Sequence, residues 1–453
     1  MTIELRVPGD KSITHRALIL SCLAGGTSHL RGLPDSLDVQ ATMGALRGLG
    51  AKIIAGPGGG TEVRGPVGWE DARRRLDCAN SGTSARLLTG LIAGVGVEAE
   101  VDGDASLRRR PMDRVVYPLQ AMGARIRYLE RPDALPIRIE RRSSGALRPL
   151  RHRTRVASAQ VKSSLLLAGL ASRTRVEVVE PYRSRDHTER LLLHLGAPVR
   201  FGAEESGEGA GTGSSGSAPP GGDVPGSGRA AWRVVLEPDG WSGRLRPFTL
   251  EVPGDPSSAA FLIAASLLGG EETRIREVAL NPTRVAFLDV LEEMGAAIEV
   301  RRTGEECGEP VGELWACPSD LGPLDISASR IPWLLDEIPV LAVLASRARG
   351  TSVVRGASEL RVKESDRLAL LASNLSALGV VCRELPDGLE IEGTNRALRG
   401  EVRTGGDHRL AMAFGVLARR PDCLIRIDDV GCVTVSYPGF WEDLDRVFPP
   451  RTA

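Results

Sequence analysis

The chain has 453 residues, and at roughly 150 residues per domain that length exceeds one ordinary domain. Its 58 Lys+Arg balance 58 Asp+Glu, which removes the electrostatic basis for a dedicated nucleic-acid or membrane-surface binder, so any anionic ligand must be met by a local cluster of cations. The seven cysteines (Cys22, Cys78, Cys307, Cys317, Cys382, Cys423 and Cys432) are odd in number and lack C-x-x-C or His-paired spacing, so they read as reduced, mostly buried thiols.

The first residues, MTIELRVPGDKS, carry Glu4 and no apolar run behind a basic region, which is unlike a secretory signal. No stretch reaches the about 18 uninterrupted apolar residues that a membrane span needs, so a cytoplasmic protein without membrane contact is expected.

Along the chain two kinds of helix alternate. One kind is apolar nearly all round and therefore buried: ITHRALILSCLAG from Ile13, TSARLLTGLIAG from Thr83, AQVKSSLLLAGLA from Ala159, SAAFLIAASLLG from Ser258, EIPVLAVLAS from Glu337 and HRLAMAFGVLA from His408. The other kind is amphipathic and stopped by glycine: LRGLGAKI at Gly50, LQAMGARI at Gly123, LLHLGAPV at Gly196, LEEMGAAI at Gly295 and, more loosely, LSALGVVC at Gly379. Short alternating segments between them, such as TEVRG from Thr61 and RVEVVE from Arg175, read as strands. The interval from Gly196 to Gly295 is longer than the others because it holds a Gly/Ser/Pro-rich run, 203–230, whose composition reads as a flexible surface insertion. Six buried helices imply six repeats. VPGDKS at Val7 and VPGDPSS at Val252 match, as though the second half restarts the plan of the first. The fold class expected is α/β, as α+β repeats with mixed sheets packed on helices.

Polar residues gather at the starts of these helices: Lys11 and Ser12, Asn80 to Gly82, Ser158 with Gln160, Asp336 and Glu337, and Asp407 to Arg409. A helix start exposes unpaired N–H groups and partial positive charge, so several starts around one cleft form an anion trap. Multiply anionic small molecules are the ligands this pattern suits. Taken singly, Ser12, Ser158 and Asp336 read as N-caps, and Arg367 as a partner of Glu364 or Asp366 on a solvated face. His15 and His408 read as structural donors, and no spacing suggests a metal site.

Together the strings VPGDKSITHRA, NSGTSARLL, RRRPMDR, ASAQVKSSLLLAGL, PYRSRDHTER, LDEIP, LRVKESDRL and GDHRLAM resemble the 5-enolpyruvylshikimate-3-phosphate synthase family, in order and over almost the whole chain. The resemblance implies two similar domains, each of three βαβαββ-type units, closing like a clam. It places them at 11–251 and at 1–10 plus 252–453. It also implies transfer of the enolpyruvyl group of phosphoenolpyruvate to shikimate 3-phosphate in the shikimate pathway of aromatic amino acid biosynthesis, by a monomer with no metal or organic cofactor, and sensitivity to glyphosate.

Carried over by position, Lys11, Ser12, Arg16, Ser158, Ala159, Gln160, Arg185, Asp336 and Lys363 are expected to contact shikimate 3-phosphate. Phosphoenolpyruvate falls to Lys11, Gly82, Arg110, Gln160, Arg367 and Arg409. Asp336 suits the base role and Lys11 or Glu364 the acid role. Two departures stand out: Ala159 replaces a second Ser, leaving only its N–H for phosphate, and Val435 replaces a Lys that contacts phosphoenolpyruvate in part of the family. The related transferase acting on UDP-N-acetylglucosamine carries a reactive Cys where this chain reads ASLRRR, at Ala105 to Arg110. A non-catalytic repeat scaffold would not converge a Lys/Arg/Asp set.

Overall fold

The computed structural model describes residues 2–56, 59–72, 74–143, 145–204, 231–241 and 243–450. The insertion expected at 203–230 lies outside the described residues from 205 onward.

The first half of the chain runs β1 (Ile3–Leu5), α1 (Lys11–Leu23), β2 (Thr27–Arg31), α2 (Leu37–Gly48), β3 (Lys52–Ala55), β4 (Thr61–Arg64), β5 (Leu76–Asp77), α3 (Gly82–Val95), β6 (Ala99–Asp102), α4 (Asp113–Ala121), β7 (Ile126–Tyr128) and β8 (Ile137–Ile139). It continues through β9 (Leu150–Arg153), α5 (Ala159–Ser172), β10 (Val176–Glu180), α6 (His187–His194), β11 (Val199–Ala203), β12 (Trp232–Leu236) and β13 (Thr249–Glu251). Then follow α7 (Pro256–Leu267), β14 (Thr273–Ala279), α8 (Ala286–Glu293), β15 (Ala297–Glu306), β16 (Glu309–Cys317), β17 (Asp325–Ile326), α9 (Ile338–Ala345) and β18 (Thr351–Val354). The chain closes with α10 (Arg367–Ala377), β19 (Val381–Leu385), β20 (Gly388–Glu392), β21 (Leu398–Val402), α11 (His408–Ala418), β22 (Cys423–Ile427) and α12 (Phe440–Val447).

Five sheets share one plan. The order β5-β6-β8-β7 recurs as β9-β10-β12-β11, β13-β2-β4-β3, β1-β14-β16-β15 and β17-β18-β20-β19. In β5-β6-β8-β7 the first two strands are parallel and need the α3 crossover, while the last two pair antiparallel as a hairpin. The sixth unit is shorter than expected: β21 and β22 pair in parallel around α11, α12 follows, and no hairpin completes the sheet among the described residues.

The repeat has a local physical cause. Gly50, Gly123, Gly196, Gly295 and Gly379 all have positive φ, between 73° and 101°, the left-handed turn that ends an amphipathic helix without a Cβ penalty. The other helix of each unit is packed on every side; all eight residues of α9 are buried, and each large aliphatic side chain so placed is worth about 1.5–3 kcal/mol. α3 and α5 lie unusually close. A Cβ on Gly90 would sit 2.1 Å from the Ser164 carbonyl oxygen and one on Gly94 2.7 Å from that of Ala168, so only glycine permits this contact.

Two hydrophobic cores result. One gathers Ile13 through Val252 with Ala279 and Cys307; the other joins Leu5 and Val7 to Ala259 through Phe448. The chain passes between them twice. β1 is the first strand of the sheet holding β14, and β13 returns to pair with β2. At the crossing the two matching VPGD strings pair antiparallel, with Asp10 N–H donating to Pro253 O and Asp255 N–H to Pro8 O, both at 2.8 Å. All seven cysteines are free, but only Cys22, Cys78 and Cys307 are buried; the other four are half-buried, which corrects the expectation of mostly buried thiols. Among the described residues no helix is long and apolar enough to cross a membrane.

Candidate active site

Four buried helices bring their N-terminal turns to one cavity of about 340 Å³ that is lined from both halves of the chain. α1 contributes Lys11 and Ser12, α3 Gly82 and Thr83, α5 Ala159 and Gln160, and α11 His408 and Arg409. Each start is fixed by a side-chain cap: Asp10 accepts from Ile13 N–H, Ser81 from Ser84, Ser158 from Val161 and Asp407 from Arg409. The N-terminal dipoles therefore converge on one space. Of the three expected caps, only Ser158 is one; Ser12 lies inside α1, and Asp336 precedes Glu337, the residue at the start of α9.

On one wall, Arg110 Nη2 donates to Asn80 Oδ1 at 2.5 Å. Beside it Arg86 bridges Gln160 Oε1 at 2.8 Å and the Pro111 carbonyl at 2.9 Å, and Gln160 Nε2 donates to Thr83 Oγ1 at 3.0 Å. Lys11 Nζ sits 3.2 Å from Asp38 Oδ2. On the facing wall Asp336 is surrounded by cations. Arg185 Nη2 lies 2.5 Å and Arg409 Nη2 3.5 Å from its Oδ2, and Arg367 Nη1 is 3.7 Å from Oδ1. Arg185 belongs to the half carrying α6 and Asp336 to the half carrying α9, so this pair crosses the cleft, as do Arg110 with Glu364 at 3.4 Å and Arg114 with Glu359 at 3.2 Å.

Electrostatics follow this layout. Burial alone would raise the Asp336 carboxyl, but Arg409, Arg185, Lys363 and Arg367 outweigh it and hold it well below the usual carboxylate range. Glu364 is likewise buried yet lowered, by Arg367 and Arg110. Burial pulls Lys363 down against the attraction of Asp336 and Glu364. His15 falls to about 4 and His408 to about 3, chiefly by burial, so both are neutral at physiological pH. His15 Nδ1 lies 2.8 Å from Thr42 Oγ1, in keeping with a structural role.

Most residues picked out from the sequence meet in this cavity: Lys11, Ser12, Gly82, Arg110, Ser158, Ala159, Gln160, Arg185, Asp336, Lys363, Glu364 and Arg409 all line it. Arg16 and Arg367 do not. Arg16 is 2% exposed, and its guanidinium is bonded to Thr188 Oγ1, the Ser12 carbonyl and Ser163 Oγ, which places it behind the wall. Arg367 is buried rather than solvated, donating to Asp407 and Glu364 at 2.7 Å, while its Nη1 has no hydrogen-bond partner and faces Asp336. Val435 does not line the cavity either.

Sequence reasoning missed Arg86, Arg114, Asp38 and Arg284. Arg86 carried a signal, since it stands four residues after Gly82 on the same helix face. Arg284 carried none: it is buried, donates to Asp10 at 2.6 Å and Asp255 at 2.9 Å, and so ties together the caps of α1 and α7, which lie far apart in sequence. Among the described residues no group of His, Cys, Asp or Glu is arranged to hold a metal ion.

Repeated βαβα units in two cores around a cation-rich cleft define the enolpyruvyl transferase fold. The enolpyruvyl transferase NikO from Streptomyces tendae shares it, with a TM-score of 0.70 at 18% identity, covering 99% of this chain and 95% of that one. The chain belongs to the EPSP synthase (3-phosphoshikimate 1-carboxyvinyltransferase) family, whose model matches residues 1–216 and 221–444. It is 43% identical over 445 residues to the 3-phosphoshikimate 1-carboxyvinyltransferase of Salinibacter ruber, covering 97% of this chain and 96% of the relative. Against the protein of the same name from Synechococcus sp. it is 44% identical over 451 residues, covering 98% and 96%. The structure of EPSP synthase from Acinetobacter baumannii superposes with a TM-score of 0.80 at 32% identity, covering 99% of this chain and 96% of that one.

Proposed function

We propose that this chain transfers the enolpyruvyl group of phosphoenolpyruvate to the 5-hydroxyl of shikimate 3-phosphate, releasing phosphate. The observation that carries the reading is the convergence of four helix N-termini with Lys11, Arg86, Arg110, Arg185, Lys363 and Arg409 on one cavity in a chain of zero net charge. Two substrates that together bear two phosphates and two carboxylates match that field.

Shikimate 3-phosphate is assigned to Ser158, the Ala159 N–H, Gln160 and Arg185 on one side and to Asp336 and Lys363 on the other, with Lys11 and Ser12 between. Phosphoenolpyruvate is assigned to Lys11, Gly82, Arg110, Gln160 and Arg409, with Arg86 added to that set. Arg16 and Arg367 act from behind: Arg16 holds the first turn of α1 through the Ser12 carbonyl, and Arg367 keeps one N–H directed at Asp336.

The reaction forms a bond from the 5-oxygen to C2 of phosphoenolpyruvate while C3 gains a proton; the C2–O bond to phosphate then breaks and C3 returns a proton. Asp336 is the base. Its proton affinity is suppressed by Arg409 and Arg185, and substrate anions that draw those guanidinium groups away restore it. Lys11 is the acid. Glu364 is the alternative acid, with its carboxyl lowered by Arg367 and Arg110 against burial. Positioning by the charged walls supplies the entropy advantage of a two-substrate step.

The division into 11–251 and 1–10 plus 252–453 is proposed on the two cores and the double crossing. A monomer is proposed because the two cores of a single chain together supply both cation-bearing walls of the cavity, so no assigned substrate contact calls for a second copy. A cytoplasmic location is proposed on the seven free cysteines, which suit a reducing compartment. Proton and phosphorus NMR of a reaction containing both substrates test the function: a vinyl ether on the 5-oxygen in the proton spectrum and one equivalent of inorganic phosphate in the phosphorus spectrum are expected, and intact shikimate 3-phosphate refutes it.

A further inference from the structure

Beneath the wall assigned to shikimate 3-phosphate lies a charged cluster that the chemistry above does not use. Lys162 on α5, Glu180 at the end of β10 and Glu189 on α6 all have fully buried side chains. Lys162 Nζ lies 2.8 Å from Glu180 Oε2 and 2.7 Å from Glu189 Oε1. Burial works against the ammonium, but the two carboxylates outweigh it and keep Lys162 charged. Such a cluster is a poor source of stability, because well-packed apolar residues in its place are often neutral or better.

Its geometry points outward. Glu180 Oε1 accepts the Ser158 N–H at 2.8 Å, and the Ser184 hydroxyl lies 2.8 Å from both carboxylate oxygens. Ser158 is the cap of α5, and Ser184 immediately precedes Arg185; both line the cavity. One carboxylate therefore ties the N-terminal turn of α5 to the loop that presents Arg185, above the Ser163–Thr188 bond that joins α5 to α6 further in. Lys162 pins the carboxylate from below. Glu189 differs: it touches Lys162 and reaches neither wall segment.

We propose that Glu180 is a positioning residue for the phosphate of shikimate 3-phosphate, setting the distance between the α5 N–H groups and Arg185. The assignment rests on the function proposed above. It separates two equally buried members of one cluster, since Glu180 bonds both segments of the anion seat while Glu189 bonds neither and acts by its charge on Lys162 and Arg16.

Glu180→Gln and Glu189→Gln test it, each measured for KM of both substrates, kcat and thermal midpoint. Glu180→Gln is expected to raise KM for shikimate 3-phosphate about tenfold, as expected for a binding group displaced by a fraction of an ångström. KM for phosphoenolpyruvate should stay within about twofold. Glu189→Gln should leave both KM values within about twofold, whatever it does to the midpoint. An unmoved KM for shikimate 3-phosphate in Glu180→Gln, or an equal rise in both variants, overturns the proposal. Should Glu180→Gln fail to fold, Lys162→Met/Glu180→Gln/Glu189→Gln, which leaves no unpaired buried charge in the cluster, takes its place with the same expected rise in KM for shikimate 3-phosphate and constancy for phosphoenolpyruvate. Wild-type protein that turns over no shikimate 3-phosphate overturns the underlying reading and this assignment with it, whereas active wild type with an unmoved variant overturns this assignment alone.

Discussion

Arg185 and Asp336 meet across the cleft, Nη2 to Oδ2 at 2.5 Å, so a cation assigned to one substrate's phosphate is, with Arg409, among those that lower the carboxyl proposed as the base. On the proposed roles, binding and activation are coupled. Asp336→Asn keeps the shape and one acceptor but removes the base, so kcat is expected to fall by about 10²–10⁴ while KM for shikimate 3-phosphate changes by less than about fivefold. Steady-state phosphate release checks this, and an unchanged kcat removes Asp336 from the base role.

Asp10 supplies a pH-dependent prediction at the crossing. Burial opposes its ionisation, but Arg284 and His187 outweigh burial and hold the carboxyl at about 2, below its ordinary 3.8. A lowered carboxyl stabilises the folded state fully above 3.8, and that contribution is lost as pH falls toward about 2. Asp10→Asn preserves the cap yet strips Arg284 of one partner, which is expected to cost about 3 kcal/mol near neutral pH. Thermal midpoints of wild type and variant should therefore differ most above pH 4 and converge on acidification. A gap independent of pH contradicts the pairing as its cause.

Gly82 sits where two arginines leave no room. An added Cβ would lie 2.6 Å from Arg86 Nη1 and 3.3 Å from Arg110 Nη1. Both are ends of flexible side chains, so the fold survives, but Arg86 must leave Gln160 Oε1. Overpacking of this kind costs about 1–3 kcal/mol. Gly82→Ala is expected to raise KM for phosphoenolpyruvate and to raise the inhibition constant of glyphosate, competitive with phosphoenolpyruvate, by a larger factor. Equal factors contradict the steric account.

Residues 205–230 join two strands that already pair. Ala203 stands opposite Trp232 in the β11–β12 ladder, and Glu204 N–H donates to the Ala231 carbonyl at 2.6 Å. Closing a shorter loop there changes the entropy by only about 1 kcal/mol. Replacing 205–230 with a short Gly/Asn turn is expected to leave kcat and the thermal midpoint unchanged within error. A large fall in either assigns that segment a packed role.

The helices were legible because their signals are local. Five glycine stops fall at positive φ, and the six buried helices begin within a few residues of the positions their apolar runs gave, as with Thr83 against Gly82. The cavity set was legible for residues at helix starts, where position along the chain fixes direction. Arg16 and Arg367 were not: Arg16 is the sixth residue of α1 and Arg367 opens α10 yet turns inward, and in both exposure depends on which neighbours arrive from elsewhere, Thr188 and Ser163 for one and Asp407 for the other. Arg284 and Glu180 lay beyond reach for the same reason. The three-residue strand β13 left no periodicity to read, so its return to β2 emerges only from the fold.

Acceptor choice tests the central claim most directly. Phosphate release from phosphoenolpyruvate should be measured with the purified chain and either shikimate 3-phosphate or UDP-N-acetylglucosamine. Saturable release with shikimate 3-phosphate, and none above background with the nucleotide sugar, is the predicted result; release with UDP-N-acetylglucosamine alone would contradict it.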